Sequence, residues 1–206
     1  MERKKYLMVD CEAIGFNGKH YANCIAYNLG LVVTDKQGNT YAEKGMIFLD
    51  CIALNLARFD SRFLRRKLTK LLQQEHYDCC NLIEGYRMTH ELIHKYNIQG
   101  IIMYNAEFDY NALNATMANM GFREKFFPLL PIYDLCFMVR DTIGKQKTYE
   151  KQFESKVSVS TKYIYPYLFI GDKVKHFALE DAREQVKIWE RVNRQHKKMN
   201  KFFMKG

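Results

Sequence analysis

Apolar positions along this chain follow two periods, and the changes between them divide the chain into elements. Tyr6-Leu7-Met8-Val9 is a short, mostly apolar run that reads as a strand, and Cys24 to Thr34, rich in Ile, Tyr, Leu and Val, reads as a second. Asp35-Lys36-Gln37-Gly38-Asn39 is a turn cluster, so Thr40 to Leu49 returns as a hairpin partner and the chain opens with three antiparallel strands. From Asp60 the period becomes helical. Phe63, Leu64, Leu68, Leu71 and Leu72 recur at three- and four-residue intervals, with Arg62, Arg65, Arg66 and Lys70 among them. A second amphipathic stretch runs from about Tyr86 to Tyr96 and stops at Asn97 to Gly100.

Ile101-Ile102-Met103-Tyr104 reads as a buried strand, followed by Asn105 as N-cap of a helix to about Met120, where Gly121 ends it. Pro128 and Pro131 bracket a short connection, Tyr133 to Val139 begins another helix, and Ala178 to about Lys197 is the last long one. Asp141 to Pro166, rich in Lys, Gln, Ser and Thr, reads as a mobile surface segment. This order describes α/β units added to an antiparallel hairpin. With 206 residues and 48% hydrophobic side chains, the chain can bury one good core, so residues 1–206 are expected to form a single domain.

Charge changes the picture. Lys and Arg number 32 against 23 Asp and Glu, a net +9. Residues 1–60 balance at seven and seven, whereas residues 187–206 hold seven basic residues against the single Glu190. A basic segment at about 195–206 is suited to a polyanion, or serves solubility alone. The six cysteines form no zinc pattern, four of them stand in apolar surroundings, and reduced thiols in a cytoplasmic protein are the expected state. No stretch approaches the roughly 20 apolar residues needed to cross a bilayer, and no signal peptide is recognisable, so no membrane partner is expected.

Three clusters carry candidate chemistry. Asp10-Cys11-Glu12 follows the first strand with period two, so both carboxylates emerge from one face and Cys11 from the other. Such oxygen ligands suit hard divalent ions, although an isolated Asp-x-Glu is common on ordinary surfaces. Gly15 and Phe16 follow where a backbone approaches a ligand and a ring stacks on a base, with simple edge packing the other reading of Phe16. In Asn105-Ala106-Glu107-Phe108-Asp109, Asp109 falls in the first helical turn beyond a strand end, where open α/β sheets collect ligands. Glu107 faces differently and reads as a solvated or capping acid, and Phe108 packs beneath the site. In the third cluster, His176 and Asp181 on one ideal helix would point about 140° apart, so His176 precedes the helix while Asp181 occupies an early turn. A histidine there can take a proton near neutral pH.

Asp10-Cys11-Glu12-Ala13-Ile14-Gly15, Tyr104-Asn105-Ala106-Glu107-Phe108-Asp109 and His176-Phe177-Ala178-Leu179-Glu180-Asp181-Ala182 together resemble the three motifs of the DEDDh, or DnaQ-like, 3′-to-5′ exonucleases, a group with proofreading subunits, RNase T and oligoribonuclease. The resemblance implies an RNase H-like α/β fold, with a central mixed sheet, three antiparallel N-terminal strands and flanking helices. It implies Asp10, Glu12, Asp109 and Asp181 as metal-binding acids and His176 as general base. Two divalent cations, Mg²⁺ or Mn²⁺, are then expected, one held by Asp10, Glu12 and Asp181 and the other by Asp10 with Asp109. Single-stranded DNA or RNA 3′ ends are the implied partner and 5′ mononucleotides the product, with Gly15, Phe16, Asn105 and Phe108 as candidate substrate contacts. Asp134 matches an auxiliary acidic position and reads as structural or as a support behind the ligands, not as a ligand itself. The span from Glu12 to Asn105 is longer than in compact members, which makes the 60–100 region a candidate surface for substrate selection, a protein partner or a homodimer. The alternative is a catalytically silent nucleic-acid-binding or regulatory module on the same fold, and an RNase H-like endonuclease or transferase is a third reading.

Overall fold

The computed structural model describes residues 3–18, 20–143, 161–169 and 177–203. The opening strands β1 (Lys5–Ile14), β2 (Ile25–Thr34) and β3 (Thr40–Phe48) form the expected antiparallel meander. β4 (Tyr77–Cys80) adds parallel to β3, β5 (Ile98–Met103) parallel to β1, and β6 (Ile132–Asp134) parallel to β5. The resulting six-stranded mixed sheet has the order β4-β3-β2-β1-β5-β6. Helices α1 (Leu49–Leu54), α2 (Arg62–Leu72), α3 (Leu82–Lys95), α4 (Ala106–Asn119), α5 (Leu135–Thr142), α6 (Thr161–Leu168) and α7 (Ala178–Phe203) surround it. This is the α/β architecture expected from the order of elements.

β1 sits between an antiparallel and a parallel neighbour, and Leu7, Met8 and Val9 on it are fully buried. Both faces must therefore be covered. α7 covers the face that carries Tyr6, Met8 and Asp10: Trp189 meets Tyr6 edge to face at 5.7 Å, and Arg183 bonds Glu43 of β3. α4 covers the other face over β1 and β2, and α3 continues it over β3, where Gly85 lies so close to Phe48 that a Cβ would stand 2.4 Å from the ring. Cys11, Cys24, Cys51 and Cys80 are buried and all six thiols are free. Among the described residues no helix is long and apolar enough to cross a membrane.

Several elements differ from the sequence reading, each for a local reason. β1 continues through both acids to Ile14, because β2 keeps pairing with it beyond the apolar run. β4 and α1 were not anticipated: Tyr77-Asp78-Cys79-Cys80 is too short to show a period, and its ends are held by pairing to β3. α3 starts at Leu82, four residues early, because Asn81 and Glu84 form a reciprocal capping box. Tyr133 belongs to β6, and the helix expected from it begins only at Leu135. Within the stretch from Asp141 to Pro166, expected to be a mobile surface segment, residues 144–160 lie outside the described residues, while Thr161–Leu168 is helical with Ile164 and Tyr165 buried despite Pro166.

Candidate active site

The acids of the first motif lie within β1, on the face that α7 covers. On one side β1 stays paired to β2 as far as Ile14, whereas the β5 register ends with Val9 opposite Met103. A crevice therefore opens beside Asp10 at the carboxyl end of β5, the position where open α/β sheets bind ligands. The chain crosses from β5 to α4 through Asn105, which holds φ at 65°, and the first turn of α4 brings Asp109 back to β1. There the Asp109 carboxylate accepts the backbone N–H of Cys11 at 2.8 Å, in place of a ladder partner.

Asn105 occupies the N-cap position without a side-chain cap. Asp134 supplies it instead, one oxygen accepting the Ala106 N–H at 3.0 Å and the other the N–H groups of Cys136 and Phe137 at 2.8 and 3.3 Å. One carboxylate thus caps α4 and α5 together, which gives Asp134 a structural role. Glu107 is exposed while Asp109 is buried, so the two acids face differently.

The start of α7 is fixed by residues the sequence reading did not single out. Gly30, opposite Asp10 in the register, lets Ala178 lie directly on the strand; a Cβ there would stand 2.2 Å from the Ala178 carbonyl. Buried Asn28 accepts the Ala178 N–H at 3.0 Å, and the Tyr77 hydroxyl accepts the Leu179 N–H at 2.8 Å. Both are acceptors for otherwise unpaired N–H groups of a helix end. Asp181 then falls in the first turn, half-buried. Its neighbour Glu180 is engaged elsewhere, accepting the Tyr77 hydroxyl and pairing with His76, each at 2.7 Å. Asn28 and Gly30 did leave a signal, as they interrupt an otherwise apolar strand.

The electrostatics record how near these acids are to one another. Asp10 keeps a partly exposed edge, yet its loss of solvent raises its carboxyl well above the ordinary range, and the charges of Asp109, Asp181 and Glu12 push it further; a 2.7 Å bond from Gln185 opposes them. Burial also raises Asp109, against the Cys11 N–H that stabilises its charge. Carboxylates from β1, α4 and α7 therefore meet in one place. The Cys11 thiol, raised by burial and then by Asp109 and Asp10, stays protonated and does not join them. Lys67 of α2 does: its ammonium lies 2.6 Å from Glu12, with both side chains largely buried.

The donor set fits a hard divalent ion, being carboxylate oxygen throughout, with three negative charges converging on Asp10. Among the described residues no three His, Cys, Asp or Glu side chains are arranged to hold a metal ion as they stand. Glu12 is turned to Lys67, Asp10 to Gln185 and Asp109 to Cys11. His176 lies outside the described residues.

At the rim, Phe16 stacks on Tyr21 at 5.0 Å and meets Phe108 edge to face at 5.4 Å, while remaining 42% exposed. Phe108 belongs to this rim cluster, and Tyr21 is its third ring. Gly15 holds φ at +88°, but the space beside it is filled by Arg58, whose guanidinium donates to the Asn23 carbonyl at 2.7 Å; its missing side chain makes room for Arg58.

No protein-family profile matches the chain, and no curated protein does. Among solved structures, it is similar to E. coli exonuclease I with a 5cy-dT13 oligonucleotide (14% identity, TM-score 0.63, 98% of this chain and 43% of that one). It is similar also to the zinc-bound E. coli exonuclease I–single-stranded DNA complex (15%, 0.60, 98% and 43%) and to product-bound exonuclease I (13%, 0.60, 99% and 46%). This chain thus spans less than half the length of those proteins. With its mixed central sheet, antiparallel N-terminal strands and flanking helices, it shares the RNase H-like α/β fold of exonuclease I.

Proposed function

We propose that this protein is a metal-dependent 3′-to-5′ exonuclease that hydrolyses single-stranded nucleic acid from its 3′ end and releases 5′ mononucleotides, with residues 1–206 as one exonuclease domain. The observation that carries the reading is the meeting of Asp10, Glu12, Asp109 and Asp181 beside the carboxyl end of β5, where the charges of Asp109, Asp181 and Glu12 all raise Asp10 and that of Glu12 raises Asp109. Asp10, Glu12 and Asp181 would hold one Mg²⁺ or Mn²⁺, and Asp10 with Asp109 a second. Bound there, the cations would supply neutralisation of the phosphodiester and activation of water. His176 accepts the proton of the attacking water, and Gln185 keeps Asp10 oriented. Phe16, Phe108 and Tyr21 offer ring faces to the terminal bases, and Asn105 stands exposed beside them. The oligonucleotide and single-stranded DNA complexes of exonuclease I support a nucleic-acid substrate.

One observation favours the alternative of a silent binding module: Lys67 occupies Glu12 where a metal would compete. One assay separates the two. Protein with Mg²⁺ or Mn²⁺ is incubated with single strands labelled at the 3′ or the 5′ end. Immediate release of the 3′ label and a ladder of 5′-labelled products, both abolished by EDTA and by Asp10→Asn, support the exonuclease. Intact strands that remain bound support the module.

A further inference from the structure

Helix α2 carries two different surfaces. One reaches into the acid cluster through Lys67. The other lines an open groove of about 570 Å³ with Arg62, Arg65, Arg66, Thr69 and Lys70, and Asp60 as its one carboxylate. All six are exposed. Arg65 is anchored through its Nε to the Phe59 carbonyl at 3.2 Å. Arg62, Arg66 and Lys70 form no ion pair among the described residues, although Asp60 is close by. Like charges at four-residue spacing destabilise a helix slightly, so this stripe is kept against a local cost.

We propose that this groove on α2 is a binding track for the phosphate backbone of single-stranded nucleic acid, which holds the strand while its end lies at the acid cluster. The inference rests on the exonuclease reading for the direction of the strand, but not for the binding itself. Three features point to nucleic acid rather than to an acidic protein segment. Arg62, Arg66 and Lys70 stand on successive turns, about 6 Å apart along the helix, so they form a row of about 12 Å that matches three or four stacked nucleotides. Phe63 is 72% exposed, one turn from Lys67 on the same side of α2, and so presents an aromatic face between the basic row and the acids. Lys67 fixes the whole helix to β1 at Glu12, which makes the track continuous with the candidate active site.

The test is binding without turnover. Fluorescein-labelled oligothymidylate and oligouridylate of about thirty nucleotides are titrated with protein in EDTA, and anisotropy is followed between about 50 and 200 mM KCl. The variant combines Arg62→Gln, Arg66→Gln and Lys70→Gln; a second combines Arg62→Lys and Arg66→Lys, which keeps the charge. Each phosphate contact adds about 0.7 to the salt slope on a single strand, so the Gln variant flattens it by about two. Over that salt range the parent then loses roughly 15-fold more affinity than the Gln variant, and the Lys variant follows the parent. Equal slopes for parent and Gln variant overturn the proposal, as does failure of the parent to bind either oligonucleotide. A parent that binds with the expected slope but never cleaves in Mg²⁺ or Mn²⁺ supports the track and defeats the exonuclease reading. A parent that cleaves, with slopes unaffected by the Gln variant, does the opposite.

Discussion

Gly30→Ala is the sharpest test of how the fold builds the site, because this glycine holds no chemistry of its own. An added Cβ would meet the Ala178 carbonyl carbon and oxygen at 2.2 Å and the Leu179 nitrogen at 2.4 Å, all of them backbone atoms that no rotamer change can move aside. Relief to ordinary van der Waals contact requires the start of α7 to lift from β2 by about 1 Å, at an overpacking cost of about 1–3 kcal/mol. The same movement stretches the bonds from Ala178 to Asn28 and from Leu179 to Tyr77, now 3.0 and 2.8 Å, adding about 1 kcal/mol. The total of about 2–4 kcal/mol lowers Tm by roughly 5–15 °C in a chain of this size. Asp181, in the displaced turn, moves from Asp10 by a similar distance, and a misplacement of about 1 Å costs on the order of 10²-fold in turnover. Urea titration and single-turnover cleavage in Mg²⁺ measure the two effects. Gly18→Ala is the control: its φ is +86° but nothing lies within 4 Å, so it carries backbone strain without a collision. If Gly30→Ala unfolds within about 0.5 kcal/mol of the parent, the close approach does not position α7, and the account of Asp181 fails.

Three further outcomes follow from the charges. Because folding raises the carboxyls of Asp10 and Asp109, the folded state binds more protons than the unfolded chain; stability without divalent ions therefore declines as pH rises above about 4 and through their raised values. Asp10→Asn removes part of that decline while lowering cleavage by several orders of magnitude, and Mg²⁺ removes it in the parent; urea midpoints against pH, with and without Mg²⁺, read both effects, and an unchanged profile in Asp10→Asn contradicts the cluster. Lys67→Gln leaves Glu12 to the other acids, so the metal-free protein is destabilised and Mn²⁺ binds several-fold tighter by calorimetry. Weaker Mn²⁺ binding would instead make Lys67 a support of the metal site. At the β2–β3 turn, burial works to raise Asp35, but hydrogen bonds from Asn39, Tyr41 and Gln37 outweigh it and hold the carboxyl at about 2. Its contribution is then complete above about 4 and lost as pH falls towards 2, so Asp35→Asn, at a carboxyl the fold buries, costs on the order of 2 kcal/mol at neutral pH and little at the acid end.

What could be read in the sequence and what could not divide along the range of the interactions. The meander of β1, β2 and β3 was legible because apolar runs and the Asp35–Asn39 turn act over neighbouring residues. The acids at 10, 12, 109 and 181 were legible as motifs; Asp109 and Asp181 lie at the two helix starts expected for them, whereas Asp10 and Glu12, expected just beyond the first strand, lie within β1. Whatever depends on contacts across the chain was not. Asp134 takes over a cap that local reasoning gives to Asn105: Asn105 holds a left-handed backbone instead of the extended one a capping side chain needs, and the Ala106 N–H finds its acceptor 28 residues on. Tyr77 stabilises α7 from a strand with no periodic signature, across about a hundred residues. Lys67 read as one more cation on an amphipathic helix, and only the packing of α2 against β1 makes it the partner of Glu12. That pairing also changes how the acid cluster is to be understood. A fixed ammonium at Glu12 lets the carboxylates fold close together without a divalent ion, and an ion bound as proposed would have to displace it. On the proposed reading, metal affinity, metal-free stability and the position of the basic groove on α2 would be coupled through one side chain, so that a substitution at Lys67 should move all three together, whereas a substitution at Arg62 or Arg66 should leave the first two in place.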